Sequence, residues 1–329
     1  MSRLVWGGLG VLFATVGFGV YWSTMQMMSW LVWGSIGVLL GAAGLGVYWS
    51  RDGFDPESIR GATVVITGCS SGIGEEMTYQ YARLGAKILI TARRENRLKE
   101  VVAKAKSLGA QEAHYVAGDM GKAEDCERTI QTAKEKFGRL DYLVLNHAGS
   151  SLGSVDERAA KLQTWDQDLD MDFYADFVDI NLISYVRLAS LALPLLKESS
   201  GHIVVMGSLG GKITFPYFSY MTTAKFGLDG FFGALRVELM KTKQNVSVSY
   251  VVPGFIRTAG AEEMVKKLPG GEKMLETAAP VKETAYTIIR GGATRTREIY
   301  VPSYTWVISR IRMFPGWLQD YLILNVFSP

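Results

Sequence analysis

The stretch "TGCSSGIG", Thr67 to Gly74, places glycines at 68, 72 and 74. Glycine accepts positive φ and carries no Cβ, so this spacing permits a tight turn and close approach of backbone to a pyrophosphate. The stretch follows the apolar run "ATVVI" and opens the helical pattern "EEMTYQYARLG". A helix that starts there points unpaired N–H groups and its positive dipole end at an anion. Gly68, Gly72 and Gly74 therefore read as a dinucleotide loop, against the alternative of a merely structural turn. The next apolar run ends in "TARRENR". An acidic residue there would hold ribose hydroxyls, whereas Arg93 and Arg94 can pair bidentately with a 2′-phosphate. The expected cofactor is NADP(H); the competing reading is a solvated basic helix start.

Such a loop must be held by a sheet. Apolar runs of five to seven residues alternate with longer helical stretches: "ATVVIT", "KILIT", "AHYVAGD", "LDYLVLN", "HIVVMGS", "VSVSYVV" and "EIYVPS". Near-continuous β-branched runs separated by helices imply a parallel sheet covered on both faces. The predicted fold is α/β, a doubly wound Rossmann-type sheet of about seven strands.

Composition narrows the function. The chain has 329 residues, 35 basic and 32 acidic, and a net charge of +3, which makes no case for nucleic-acid binding. The three histidines (His114, His147, His202) are scattered and no CxxC occurs, so no metal site is expected. Cys69 and Cys126 read as free thiols.

From Leu4 to Ser50 there is no charged residue, and the segment is duplicated: "MSRLVWGGLGVLFATVGFGVYWS" from Met1 returns as "MSWLVWGSIGVLLGAAGLGVYWS" from Met28. Each copy is long enough to cross a bilayer as a helix, with Trp and Tyr near its ends as interfacial anchors. Three readings stand: a two-span hairpin, one span after an alternative start at Met28, and a cleaved signal peptide. The expected division is a membrane anchor over 1–52, a cofactor-binding domain over 53–303 and an apolar tail over 304–329. That tail interleaves aromatics with Arg310 and Arg312 and is broken by Pro315 and Gly316. It suits a membrane-interfacial helix pair, a homodimer contact or a plain core helix.

These motifs, in this order from about Gly61 to Ser303, resemble the short-chain dehydrogenase/reductase family. The resemblance assigns the cofactor loop to Gly68, Ser70, Ser71, Gly72, Ile73 and Gly74. It assigns adenine binding to Asp119 beside Met120. "NHAG" (Asn146 to Gly149, with Ala148) resembles the family's "NNAG". "PGFIRT", with Ile256 and Thr258, resembles the segment that holds the nicotinamide carboxamide. Within the family the likeness is to 11β-hydroxysteroid dehydrogenases of type 1, carried by "TARR", "AHYVAGDM", "LNHAG", "SYVRLASLALPLLK" and "AKFGLDGFF". It implies an apolar alcohol or ketone, most plainly a steroid, and a lumenal catalytic domain anchored in the endoplasmic reticulum. "NVS" at Asn245 is a glycosylation acceptor pattern consistent with that side. The segment "GSSLGSVDERAAKLQTWDQDLDMDFYADF" is longer than the family's usual connection and lies where the site mouth would be. Phe215, Tyr217 and the helical-spaced segment after Thr258 would wall the substrate pocket, the latter as a lid or as a solvated helix.

The implied reaction is hydride transfer between nicotinamide and a carbonyl or alcohol carbon. A Tyr hydroxyl moves the proton, a Lys ammonium lowers its pKa from near 10, a Ser hydroxyl polarises the substrate oxygen, and an Asn orders a relay water. The resemblance places Asn181, Ser208 and Lys225 in three of these roles. The family's Tyr lies four residues before the Lys and about thirteen after the Ser; here both spacings land on Met221. A thioether has no proton to give. The adjacent Tyr220 is five residues before Lys225, about 140° round a regular helix rather than about 40°. A bulge, or a helix starting after Met221, would swing Tyr220 inward as the acid. Without either, Tyr220 packs at the pocket wall and the site is impaired, leaving a protein that binds NADP(H) or a lipid.

Overall fold

The computed structural model describes residues 53–266 and 275–327, together with Trp33 and Gly37. The chain divides into Met1–Gly53 and Phe54–Pro329. In the first unit Trp33 and Gly37 are helical. The expected span or hairpin otherwise lies outside the described residues, as do positions 267–274 of the expected lid.

The second unit is built on seven parallel strands: β1 (Thr63–Thr67), β2 (Lys87–Ala92), β3 (Glu112–Ala117), β4 (Tyr142–Leu145), β5 (His202–Met206), β6 (Ser247–Pro253) and, last in the chain, β9 (Glu298–Val301). Their order is β3-β2-β1-β4-β5-β6-β9, and short β7 (Ile256–Arg257) and β8 (Ala279–Pro280) pair separately. Each predicted run became one strand of the main sheet. The register sets Val65 between Leu89 of β2 and Leu143 of β4.

Successive strand residues point to opposite faces. Val64, Ile66, Ile88 and Ile90 pack under α1 (Gly72–Arg83), α2 (Glu95–Ser107) and α9 (Val281–Ala293). Val65, Leu89, Leu143 and Leu145 pack on the other face under α3 (Ala123–Phe137), α6 (Ser184–Ser199) and α7 (Ser219–Lys241). Both faces are covered, which is why the strands read as unbroken apolar runs. The order reverses between β1 and β4, so the chain leaves these neighbours in opposite directions and opens a crevice at their carboxyl ends.

Between β4 and α6 the long connection folds into α4 (Val155–Ala160), α5 (Met171–Val178) and a π-helical turn, Asp179–Ile183. The run Met171–Ser199 is the one helix among the described residues long and apolar enough to cross a membrane. Its Tyr185, Leu188 and Leu196 are buried against the sheet, which marks a core helix. Beyond β7 lies α8 (Ala259–Val265), and beyond β9 the tail forms α10 (Tyr304–Ser309) and α11 (Gly316–Leu322). Arg312 of the tail lies 4.9 Å over the Phe226 ring of α7. The tail leaves Trp306, Met313, Phe314 and Trp317 exposed.

Candidate active site

The glycine loop is shaped by close contacts on two sides. Gly68 has φ +73°, and a Cβ there would overlap the His147 backbone. A Cβ on Gly74 would overlap the Gly68 carbonyl and the Asn146 amide, and Gly72, at φ +65°, would set one 3.3 Å from Thr258 Cγ2. The loop is thus wedged between the end of β4 and the segment after β7, as only glycine allows. Asn146 fixes it from below by donating to Thr67 O at 3.0 Å and Gly68 O at 3.2 Å.

A cavity of about 220 Å³ opens beside this loop, walled by Gly68, Ser70, Ser71, Arg93, Arg94, Asp119, Met120 and Ala148. His147 and Gly149 of the "NHAG" stretch also line it, and Ala92, Gly118 and Ile180, which were not singled out in the sequence, complete it. Ile73 sits in the first turn of α1, Ile256 is buried on β7, and Thr258 Oγ1 accepts from the Ala261 amide at 3.2 Å. Neither Arg93 nor Arg94 forms an ion pair among the described residues. Arg93 Nη1 donates to Ser150 O at 3.0 Å, and Arg94 Nη2 donates to Ser70 Oγ and Ser71 Oγ at 2.9 Å. Two uncompensated guanidinium groups, the glycine cradle and the start of α1 fit a phosphorylated cofactor. When bound, a nicotinamide cofactor supplies or accepts the hydride.

His147, in the place of the family pattern's second Asn, ties the crevice together. Its Nδ1 meets Thr67 Oγ1 at 2.8 Å, and its Nε2 meets Ser184 Oγ at 2.7 Å and Ile180 O at 3.1 Å. A carbonyl only accepts, so Nε2 carries the proton and Nδ1 accepts from Thr67. Burial, helped by the nearby Lys225 charge, pushes its pKa down to about 3, so the ring is neutral.

The π-turn carries Asn181, which is fully buried. Its Nδ2 donates to Gly149 O and Phe177 O, both at 2.7 Å, and its Oδ1 accepts from the Gly149 amide at 3.2 Å. It thereby fixes the loop after β4 to the helix. Ser208 follows β5 and caps the turn Leu209–Gly211, its Oγ accepting from the Gly210 amide at 3.0 Å. Lys225 is buried on α7 and donates to Met206 O at 2.9 Å, with its ammonium 5.3 Å over the Tyr185 ring. Burial pushes its pKa down to about 8.

Met221 faces the Ser208 turn. A Cβ built on Gly210 would lie 3.3 Å from Met221 Cε, 3.5 Å from Ser208 Oγ and 4.0 Å from Phe215 Cδ2. The thioether, the serine hydroxyl and Phe215 therefore converge over Gly210. Tyr220 points elsewhere. Helix α7 starts at Ser219, before it, so no late start turns it inward. Its ring is 5% exposed and meets Phe173 and Phe177 of α5 edge-on, with centroids 5.4 and 4.9 Å apart. Tyr217 is half-buried at φ +69°, a backbone region costly for an aromatic residue.

The connection after "NHAG" builds the pocket that takes Tyr220. Arg158 pairs with Asp168 and, at 2.6 Å, with Asp170, and stacks 4.0 Å over the Phe173 ring. Asp176 accepts from Ser150 Oγ at 2.5 Å and the Ser151 amide at 2.8 Å. These bonds pin α5 to α4 and to the loop after β4, where Phe173 and Phe177 meet Tyr220 of α7. The elements thus hold the glycine-walled cleft, the buried Asn181 amide and Lys225 amine, and the Ser208 hydroxyl with the Met221 thioether over Gly210.

The short chain dehydrogenase family pattern matches residues 62–269. The chain is 42% identical over 275 residues to the hydroxysteroid 11-beta-dehydrogenase 1-like protein of Danio rerio, covering 84% of this chain and 90% of that one. It is 42% identical over 279 residues to the Gallus gallus protein of that name, covering 85% and 87%. Among solved structures it is similar in fold to a short chain dehydrogenase/reductase from Burkholderia phymatum in complex with NAD, with a TM-score of 0.64, 19% identity and coverage of 78% and 94%. An alcohol dehydrogenase from Thermococcus sibiricus complexed with 5-hydroxy-NADP aligns with a TM-score of 0.61, 23% identity and coverage of 73% and 95%. Glycine cradle, sheet order and these likenesses agree: the chain belongs to the short-chain dehydrogenase/reductase family, among relatives of the hydroxysteroid 11-beta-dehydrogenase 1-like kind.

Proposed function

We propose that this chain is an NADP(H)-dependent oxidoreductase that interconverts a hydroxyl and a keto group on an apolar, steroid-like substrate, with its proton-donor position weakened by Met221. The observation that carries this reading is the glycine-walled cleft that Arg93 and Arg94 line without an ion pair among the described residues, with Asn181 bonded to Gly149 of its wall. In it Gly68, Ser70, Ser71, Gly72, Ile73, Gly74, Asp119, Met120, Asn146, Ala148, Ile256 and Thr258 hold the cofactor, and Arg93 and Arg94 take the 2′-phosphate. Ser208 polarises the substrate oxygen, Asn181 orders the relay, and Phe215 and Tyr217 line the substrate's approach. Tyr220 serves as packing.

The substrate class follows from the names of the vertebrate relatives and from apolar Met221 and Phe215 beside Ser208. The uncharged run from Leu4 to Ser50 supports membrane attachment. The exposed tail aromatics Trp306 and Trp317 support contact with a bilayer surface or with a second copy in a homodimer. Asn245 is exposed in the loop before β6, compatible with glycosylation and an endoplasmic reticulum lumen.

A second reading, an NADP(H)- or lipid-binding protein with little turnover, is favoured by the burial of Tyr220 between Phe173 and Phe177. Both readings expect tighter binding of NADPH than of NADH. They separate on NADPH oxidation with a panel of steroid ketones. Measurable wild-type turnover supports the oxidoreductase. Absence of turnover at saturating NADPH, with tight cofactor binding, selects the binding protein.

A further inference from the structure

Beneath the Ser208 turn lies Tyr250 of β6, a residue with no assigned part in the chemistry. It is 5% exposed. Its hydroxyl donates to the backbone carbonyl of Lys225 at 2.8 Å. One phenol thus bonds the main chain of Lys225 and lies against Gly207 and Gly211 of the Ser208 turn.

The turn is shaped to admit this ring. A Cβ on Gly207 would overlap the Tyr250 phenol, and one on Gly211 would overlap both the Tyr250 hydroxyl and the Lys225 carbonyl. Neither glycine has positive φ, so close approach, and not backbone conformation, requires them. Burial keeps the phenol protonated, its pKa held well above 10, so it remains a donor to Lys225 O. Lys212 closes the far side. Its ammonium lies 4.9 Å over the Tyr250 ring and bonds Asp229 of α7 at 2.7 Å and Glu298 of β9 at 2.9 Å. The Ser208 turn is therefore seated on Tyr250 at one end and staked to α7 and β9 at the other.

We propose that Tyr250 is a positioning residue, whose buried hydroxyl bonds the Lys225 carbonyl while its ring seats the Ser208 turn at Gly207 and Gly211, and so sets the two catalytic elements in register. This rests on the oxidoreductase reading above. The test uses the full-length protein and its Met221→Tyr form, each with and without Tyr250→Phe, which keeps the ring and removes the bond to the Lys225 carbonyl. The expected result is a fall in kcat for NADPH-dependent ketone reduction of about tenfold, with KM for NADPH unchanged. A kcat that does not change in either background overturns the proposal, as does a rise in KM for NADPH equal to the fall in kcat/KM.

If neither parent turns over, the oxidoreductase reading fails by itself, and amide hydrogen exchange decides the position of the turn. Faster exchange of the Gly211, Lys212 and Ile213 amides in Tyr250→Phe, with β1 amides unchanged, upholds the positioning role. Unchanged exchange at those amides overturns it.

Discussion

Replacing Met221 by Tyr places a proton donor at a position that faces the Ser208 turn. Met221 Cε and Ser208 Oγ lie 3.3 and 3.5 Å from a single point over Gly210, and Gly210 has no side chain to block a larger group there. A phenol extends further from the helix than a thioether methyl, toward the serine and the substrate oxygen. A positioned general acid contributes about 10²- to 10⁴-fold, or about 3 to 5 kcal/mol of barrier. Met221→Tyr should therefore raise kcat for steroid ketone reduction by at least about 100-fold, with little change in KM for NADPH. The gain depends on the Lys225 charge, which lowers the phenol pKa. With the Lys225 pKa near 8, that charge is present at pH 7 and lost as pH rises through 8, so the restored rate should decline on the alkaline side. The assay is loss of NADPH absorbance across a pH series with wild type, Met221→Tyr and Tyr220→Phe. Wild type as fast as Met221→Tyr would refute the placement of the missing acid at 221. Abolition of wild-type activity by Tyr220→Phe would refute the packing role of Tyr220.

Three further outcomes follow from contacts elsewhere in the domain. Arg94→Ala should weaken NADPH by about 10- to 100-fold, the loss of one charge-assisted phosphate contact, while NADH binding is unchanged; cofactor fluorescence titration reads the difference. Phe177→Ala should destabilise the domain by about 3 to 5 kcal/mol, because a ring buried against Phe173 and Tyr220 is removed and a cavity remains; urea unfolding reads the loss, and a change under about 1 kcal/mol contradicts the cluster. His147 and His202 are both buried with pKa values pushed down to about 3, chiefly by burial. Their folded values lie below the unfolded value near 6.5, so the unfolded chain binds more protons between the two. Stability is then full above pH 6.5 and falls as pH drops toward 3, by up to about 1.4 kcal/mol per pH unit for each ring. Replacing His202 by Gln should reduce that slope, measured as the urea midpoint between pH 7 and 5.

Much of the domain was legible because its signals are local. Each strand is a β-branched run whose neighbours in the chain are helices, and alternating residues bury on both faces whatever the details of packing. The glycine loop is equally local, since Gly68 and Gly72 adopt the positive φ that their residue type permits. Ser208 and Lys225 were named through the family resemblance of the motifs that hold them. Less legible was anything that depends on a residue's partner from a distant segment. His147 looked like a substitution in a motif. The fold makes it a buried link from Thr67 on β1 to Ser184 on α6, and its protonation state is set by that burial. Tyr250 gave no signal in the sequence, because a tyrosine in a strand is ordinary; its meaning lies in Gly207, Gly211 and Lys225 meeting over it.

The stretch around Tyr220 and Met221 separates the two kinds of information. Sequence alone determined the register: a regular helix puts Met221 one turn before Lys225 and turns Tyr220 about 140° away. It left open whether a bulge, or a later helix start, would bring Tyr220 back. Tertiary structure decided the matter through residues about forty-five positions earlier in the chain. The connection after "NHAG", held by Arg158 and Asp176, presents Phe173 and Phe177 to α7, and burying a large aromatic side chain there contributes about 2 to 3 kcal/mol. A backbone distortion that moved Tyr220 to the site would forfeit that burial. The helix therefore runs regularly from Ser219, and Met221 is the residue that faces Ser208.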